Sequence, residues 1–524
     1  MPIGSKRWVF AVWLAAILGF AALHALHLRA DFPNHTPWFS DWAKYTDEGW
    51  YGNAAIRAHL FGNWYLPGDF NPAPAVPMWT FLEWLLFFFT GVTVQAARGL
   101  AVGFFFANLL LSYLLLRARG PRWMALLALT LLVTSPFLYC FSRLAILEPM
   151  LTTLTLAVLN LAIRLPRMRR PLAASATIGL LFTLMLLTKT TAVFLLPALA
   201  WAMLLPLWDD RRKALHCGLV AAGVTAVTFG LWMALLVRSG LLADYRYLFV
   251  VNTYKKPPQP DWPLQSLWWS IHGGLWIDHI LIPLAGLIAV GIVMAWRSPW
   301  GRGLLRDPVF GASALAVAGY ILFMTYQDHP QPRYFAVVAF FSFFMVAQGA
   351  AALLDTAEWP RKLGWAVIVL AAIAATVNGA WILSYVAHPE YTFVDAAQRL
   401  TSYIDQHPNG KRLLVSISSD EITLATHLPT LCDDFGTQDL ASKLGRYQPG
   451  WYATWNDFDP GTLEDIHTRF TLEQVASFRA FDDPQRNVLV LFKLHPLPGG
   501  RVRTREEQNL QVPLPEDKID IPIQ

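Results

Sequence analysis

The sequence predicts an all-α polytopic membrane protein with a small α/β domain at its C-terminal end. Three observations lead to that fold class. Of the 524 residues, 55% are hydrophobic and 15% charged, and the mean hydropathy is +0.38, a composition well outside the soluble range. Apolar runs near the roughly 20 residues that cross about 30 Å of hydrocarbon recur as far as residue 385. Beyond that point the composition changes abruptly to that of a soluble domain.

The first run, residues 8–28, follows Lys6 and Arg7, which places its start on the inner side. No small-x-small cleavage site follows, so it reads as a retained span rather than a signal peptide. Residues 29–95 form a first outer loop, too polar at its beginning to lie in lipid. Within it, Pro77 to Thr90 is apolar and aromatic but too short for a full crossing, and is expected as an interfacial helix on the outer surface. Spans then follow near 97–116, 123–139, 149–164, 172–188, 190–207, 214–237, 276–296, 308–326, 335–354 and 363–385, about eleven crossings in all.

Basic clusters fix the topology. Arg117, Arg119 and Arg122 share one connection, and Arg164, Arg167, Arg169 and Arg170 the next basic one. Arg211, Arg212 and Lys213 follow, then Arg297, Arg302 and Arg306, and finally Arg361 with Lys362. Every second connection is therefore basic, as the positive-inside rule requires; counting Pro77–Thr90 as a crossing would turn these loops outward. The net charge of +5 is thus explained by topology, not by a nucleic-acid partner. The expected site is the inner (plasma) membrane of a cell, with the N-terminus cytoplasmic and the C-terminal domain extracytoplasmic. Cys140, Cys217 and Cys432 are far apart and show neither a disulfide framework nor metal-ligand spacing.

The transmembrane part is taken as residues 1–385 and the soluble domain as 386–496. In the latter, Val394–Ile404 has helical spacing, Arg412–Ile417 and Asn487–Leu494 read as strands, and Leu463–Phe470 and Leu472–Phe478 read as short helices. The tail, 497–524, is rich in Pro and charge and is expected to lack structure.

Chemistry is suggested by ionisable residues gathered on the outer side. Asp47 and Glu48 lie in the first outer loop in D-E-G-W-Y; alone, such a pair is commonly a solvated surface feature. Arg143 and Glu148 occupy the tight outer turn S-R-L-A-I-L-E-P, and Lys189 the segment L-L-T-K-T-T. His329, Arg333 and Tyr334 occupy Q-D-H-P-Q-P-R-Y at another outer end. Charges at membrane depth are costly unless paired or facing a cavity, although each of these could also be an interfacial anchor that snorkels to water. As a set they can hold a phosphate while a carboxylate takes a proton from an acceptor, which is what transfer from a lipid-linked phosphosugar needs.

The run D-E-G-W-Y-G-N-A-A-I-R, the Pro-rich N-P-A-P-A-V-P, and then M-W-T-F-L-E-W-L-L-F-F-F-T-G and A-A-R-G-L resemble the first outer loop of GT-C glycosyltransferases. The branch resembled includes lipid A aminoarabinose transferases and protein O-mannosyltransferases, glycosyltransferase families 83 and 39. S-R-L-A-I-L-E-P-M-L-T is similar to their R-x-A-x-x-[DE]-x-x-L turn, L-L-T-K-T-T-A-V-F-L-L-P-A-L to their L-T-K-G-P segment, and H-P-Q-P-R-Y-F to their H-x-R-Y-type segment. The resemblance covers residues 8–354. It implies a GT-C fold and an inverting transferase with a polyprenyl-phosphate sugar donor and an extracytoplasmic acceptor: lipid, glycan or protein.

By position the resemblance makes Asp47 the candidate base and Glu48 its partner, for acceptor positioning or as a candidate ligand of a divalent metal. Arg143, Lys189, His329, Arg333 and Tyr334 become candidates around the donor phosphate, with Glu148 the partner of one cation and Tyr51 a supporting residue. This chain departs from the aminoarabinose transferases in carrying Trp50 and Asn71 where they carry Arg and Lys. Lys255 and Lys256 in Y-K-K-P-P are candidates to supply the missing phosphate contacts, closing with Tyr254 over the headgroup as a lid; lying on anionic lipid headgroups is the other reading. His59 and Asp69 are further candidates for acceptor or metal contacts. Two rival functions stand beside transfer: a lipid-linked glycan flippase or transporter, which the charges at span ends rather than span centres disfavour, and a glycan polymerase or ligase.

Overall fold

The computed structural model describes residues 7–31, 41–248, 303–324, 331–356, 359–456, 458–480 and 487–500. The expected span at 276–296, the residues Tyr254, Lys255, Lys256 and His329, and the tail beyond Gly500 lie outside the described residues. Elsewhere the helices follow the apolar runs. The first, α1 (Arg7–Leu23), leads into a long connection that contains α2 (Asp47–Phe61) and α3 (Pro77–Thr90). Gly62 ends α2 in the left-handed conformation at φ 73°, and Pro77 opens α3 at a position whose N–H has no helical acceptor.

The bundle continues with α4 (Val94–Arg117), α5 (Arg122–Thr134), α6 (Pro136–Phe141), α7 (Glu148–Ala162), α8 (Pro171–Thr188), α9 (Leu196–Leu204), α10 (Arg211–Arg238) and the short α11 (Leu242–Arg246). After the undescribed stretch come α12 (Pro308–Met324), α13 (Phe335–Leu354) and α14 (Trp359–Ala387). Thr93 caps α4 by accepting from the Ala96 N–H at 3.1 Å. The run at 123–139, expected as one span, is instead two helices, because Pro136 cannot donate to the helical ladder and Ser135 restarts it by capping Leu138. The run at 190–207 likewise opens as a 3₁₀ turn, Thr190–Leu195, before α9.

Among the described residues, six helices are long and apolar enough to cross a membrane, and α1, α5, α7 and α12 are shorter apolar helices. On α10 only Cys217 and Leu236 are buried although the helix is apolar all round, an arrangement that water would not tolerate and lipid does. The Phe-rich α13 is, by contrast, buried on most of its faces and forms the centre of the bundle.

The C-terminal domain contains α15 (Phe393–Gln406), β1 (Leu414–Ser416), α16 (Ser419–Thr426), β2 (Thr430–Cys432), α17 (Leu440–Tyr447), β3 (Trp451–Trp455), α18 (Pro460–His467), β4 (Phe470–Arg479) and β5 (Val488–Pro496). The sheet order is β2-β1-β3-β5-β4, with β1 parallel to both neighbours and the β3-β5-β4 half antiparallel. Leu472–Phe478, expected as a helix, is a strand. Its Leu, Glu, Gln and Ala favour a helix locally, but pairing along the whole of β5 overrides that preference, with a bulge between Gln474 and Ala476.

This domain rests directly on α2. A Cβ at Gly49 would overlap the backbone of Asp420 at the start of α16, so the glycine permits the close approach. The Gly49 N–H donates to Glu421 Oε2 at 2.7 Å, Asn53 donates to Asp420 at 2.6 Å, and Arg57 donates to the Thr430 carbonyl at 2.6 Å. One face of α2 therefore carries the domain while another meets the bundle.

Candidate active site

Adjacent residues on a helix point about 100° apart, so Asp47 and Glu48 at the head of α2 enter different environments. Both stabilise the positive helix terminus. Asp47 accepts from the Thr46 hydroxyl at 3.0 Å and from the Tyr51 hydroxyl, one turn on, at 3.2 Å. Its principal partner is Arg333 Nη2, at 2.6 Å. The other terminal nitrogen of Arg333 meets Asp41 Oδ1 at 2.7 Å, and the Arg333 backbone N–H donates to Asp41 Oδ2 at 2.8 Å. Burial pushes the Tyr51 hydroxyl well above its ordinary range, and the Asp47 charge adds to this, so Tyr51 remains a hydrogen-bond donor.

Tyr334 follows Arg333 and lies under two cations: the Arg333 guanidinium is 5.0 Å and Lys189 Nζ 4.7 Å from its ring centroid. Lys189 is ion-paired with Glu148, the first residue of α7. Beside it the Thr191 and Tyr320 hydroxyls hydrogen-bond at 3.1 Å. Asp47, Tyr51, Glu148, Lys189, Arg333 and Tyr334, from segments far apart in the chain, are thus brought together at one end of the bundle. Arg333 Nε and Glu148 Oε2 are buried and have no hydrogen-bond partner among the described residues, which leaves a donor and an acceptor open to a bound molecule.

Glu48 belongs to a second cluster. Its carboxylate, fully buried, receives Arg98 Nε at 2.8 Å and Nη2 at 2.6 Å, and its Oε1 also accepts from the Ala145 N–H at 2.8 Å. Arg98 further ties the Leu28 and Ala30 carbonyls and lies 3.5 Å from Asp31. With both oxygens taken up in this fork and no exposure, Glu48 does not fit the expected metal-ligand role; it joins α2, α4, the residues that follow α1 and the 142–147 turn.

Arg143 is placed apart from Lys189 and Arg333. Its guanidinium lies over the Tyr139 ring, 4.5 Å from the centroid, and donates to the Leu26 and His27 carbonyls after α1. His59 stands three turns along α2 from Asp47, where it contacts the Trp84 carbonyl at 3.0 Å and packs on Phe88. Asp69 joins the docking contacts of the C-terminal domain: it accepts from the Cys432 N–H at 3.1 Å and pairs with Lys443 at 3.2 Å and Arg57 at 3.7 Å. Trp50 packs edge-on against Phe70 and Phe435, and Asn71 donates to Asp244 at 3.4 Å. Sequence reasoning missed Asp41, Tyr320, Asp420 and Glu421. An isolated Asp in S-D-W carries no signal, whereas Arg98 stood within the A-A-R-G-L run.

No family model matches the chain, and no curated protein sequence does. Solved structures match it in fold. ArnT from Cupriavidus metallidurans bound to undecaprenyl phosphate is similar at a TM-score of 0.60 and 12% identity, over 94% of this chain and 98% of that one. The same protein in the apo state gives 0.59 at 12% identity over 93% and 98%. The archaeal oligosaccharyltransferase AglB from Archaeoglobus fulgidus, in complex with an inhibitory peptide and a dolichol-phosphate, is similar at 0.52 and 12% identity over 92% of this chain and 74% of that one. The fold of this chain is the GT-C fold.

Proposed function

We propose that this protein is an inverting membrane glycosyltransferase that moves a sugar from a polyprenyl-phosphate donor to an acceptor on the extracytoplasmic side. The observation that carries the reading is the convergence of Asp47 with Lys189, Arg333 and Tyr334 at one end of a GT-C bundle. Fold neighbours holding undecaprenyl phosphate and dolichol-phosphate support a lipid-linked donor of the same chemistry. On this reading Lys189 and Arg333 exchange part of their carboxylate pairing for the donor phosphate. The acceptor oxygen or nitrogen attacks the anomeric carbon, Asp47 takes its proton, and the bond from that carbon to the phosphate oxygen breaks. The electron pair leaves with polyprenyl phosphate, whose growing charge the two cations stabilise. Tyr51 orients the Asp47 carboxylate. Glu48 and Arg98 hold the head of α2 so that Asp47 keeps its place.

The test supplies purified protein in liposomes with a panel of radiolabelled polyprenyl-phosphate sugars and a membrane extract as acceptor. Label is expected to move from one donor to the acceptor, with one polyprenyl phosphate released per sugar. Transfer only of a whole lipid-linked oligosaccharide would favour the ligase reading. Donor that crosses the bilayer unconsumed would replace transfer with transport.

A further inference from the structure

A cavity of about 1270 Å³ lies at the far end of the bundle from Asp47, lined by α1, α5, α13 and α14. Arg333 precedes α13 at the catalytic end, whereas Gln348 and Asp355 reach the cavity from the other end of that helix. At 1.5 Å per residue Gln348 is about 20 Å from Arg333 along the axis. The wall is apolar along Phe10, Trp13, Leu127 and Ile368. Along α14 the lining runs from Arg361 to Ala375, about 20 Å of helix, a depth suited to an acyl chain.

The rim is polar, and among the described residues three of its groups lack partners. Gln348 is buried and its side-chain amide donates to Asp307 Oδ1 at 3.1 Å, yet its Oε1 has no hydrogen-bond partner among the described residues. Asp307 fixes the amide orientation, because the flipped form would oppose two acceptors. Asp307 is itself answered by Arg119 at 2.8 Å and by the backbone N–H groups of Val309 and Phe310. Arg361 and Asp355, by contrast, line the cavity without an ion-pair partner among the described residues. A cation, a carboxylate and an orphan acceptor above an apolar cavity match a headgroup that carries both charges and a hydrogen-bond donor.

We propose that this cavity binds a glycerophospholipid whose headgroup bears a phosphate and a primary ammonium, phosphatidylethanolamine in chemistry. Arg361 receives the phosphate, Gln348 Oε1 accepts an ammonium N–H beside the negative charge of Asp355, and acyl chain follows Trp13 and Ile368. A choline headgroup has no N–H to offer Gln348, and a glycerol headgroup has hydroxyl donors but no cation to balance the charge of Asp355.

The experiment embeds the full chain in phosphatidylcholine nanodiscs containing a minor fraction of phosphatidylethanolamine and reads the lipid retained after delipidation by native mass spectrometry. Wild type is expected to keep one phosphatidylethanolamine. Gln348→Leu and Arg361→Ala lower that retention by about tenfold, the scale of one charge-assisted hydrogen bond. Ala372→Trp, which fills the apolar part and leaves the rim intact, lowers it as well and keeps the test decisive if Gln348→Leu fails to fold. Retention of phosphatidylcholine or phosphatidylglycerol as readily as phosphatidylethanolamine, or variants that retain lipid like wild type, would overturn the proposal.

Discussion

The roughly 100° between the adjacent side chains of Asp47 and Glu48 separates a residue proposed to react from one that holds the structure. Glu48 is buried with the equally buried Arg98, and removing one partner of such a pair leaves an uncompensated charge, at a cost of about 3 kcal/mol or more. Glu48→Gln is therefore expected to lower the yield and melting temperature of the folded protein, read by thermal unfolding in detergent; a wild-type melt would contradict the structural role. Lys189→Ala would strand the buried Glu148 charge in the same way, so it is paired with Glu148→Gln; the double variant is expected to weaken donor binding by about tenfold, read by equilibrium binding of labelled donor. At this scale the sequence was informative where motifs were local: Glu148 and Lys189 stood out in their segments. Asp41 did not, because its link to Arg333 spans 292 positions and no neighbouring residue announces it. Separations of 367 and 372 positions from their partners on α2 hid Asp420 and Glu421, whose meaning comes only from the helix they touch.

Among the elements, α2 is the hinge of the arrangement, since it carries Asp47 on one face and the C-terminal domain on another. Gly49→Ala is expected to lift α16 away from α2, because the added methyl would overlap the Asp420 backbone; limited proteolysis should cut near residue 390 faster than in wild type. Burial also pushes the Asp420 carboxyl up to about 7 and the Asp433 carboxyl up to about 8, from an ordinary 3.8. Between the ordinary and raised values the folded domain binds more protons than the unfolded chain, so this contribution is full below about pH 4 and is lost as pH rises through 7 to 8. Thermal stability of the domain should thus fall from about pH 5 to about pH 8, and Asp420→Asn should flatten the lower part of that slope. A profile unchanged by Asp420→Asn would remove this residue from the account. The helical elements were legible because a continuous apolar run is a local property. Leu472–Phe478 was misread because strand pairing with β5 is not, and the break at Pro136 was visible but outweighed by the apolar residues around it.

For the whole molecule, the placement of the proposed site outside rests on the alternation of basic connections. Asn63→Cys, exposed in the first outer loop, should react with an impermeant thiol reagent in intact cells, and Arg167→Cys, also exposed, only after permeabilisation. The native cysteines are buried and give little background. The reverse pattern would invert the topology. The GT-C fold survives at 12% identity because an apolar bundle constrains residue class far more than residue identity, which is also why the architecture was legible and the sugar and acceptor were not. The central claim, that Asp47 is the base of a sugar transfer, is tested most directly by measuring donor affinity and initial transfer rate on the same preparations of wild type and Asp47→Asn. Transfer should fall by about 10²–10⁴-fold while donor binding stays close to wild type. Transfer at the wild-type rate in Asp47→Asn would contradict it.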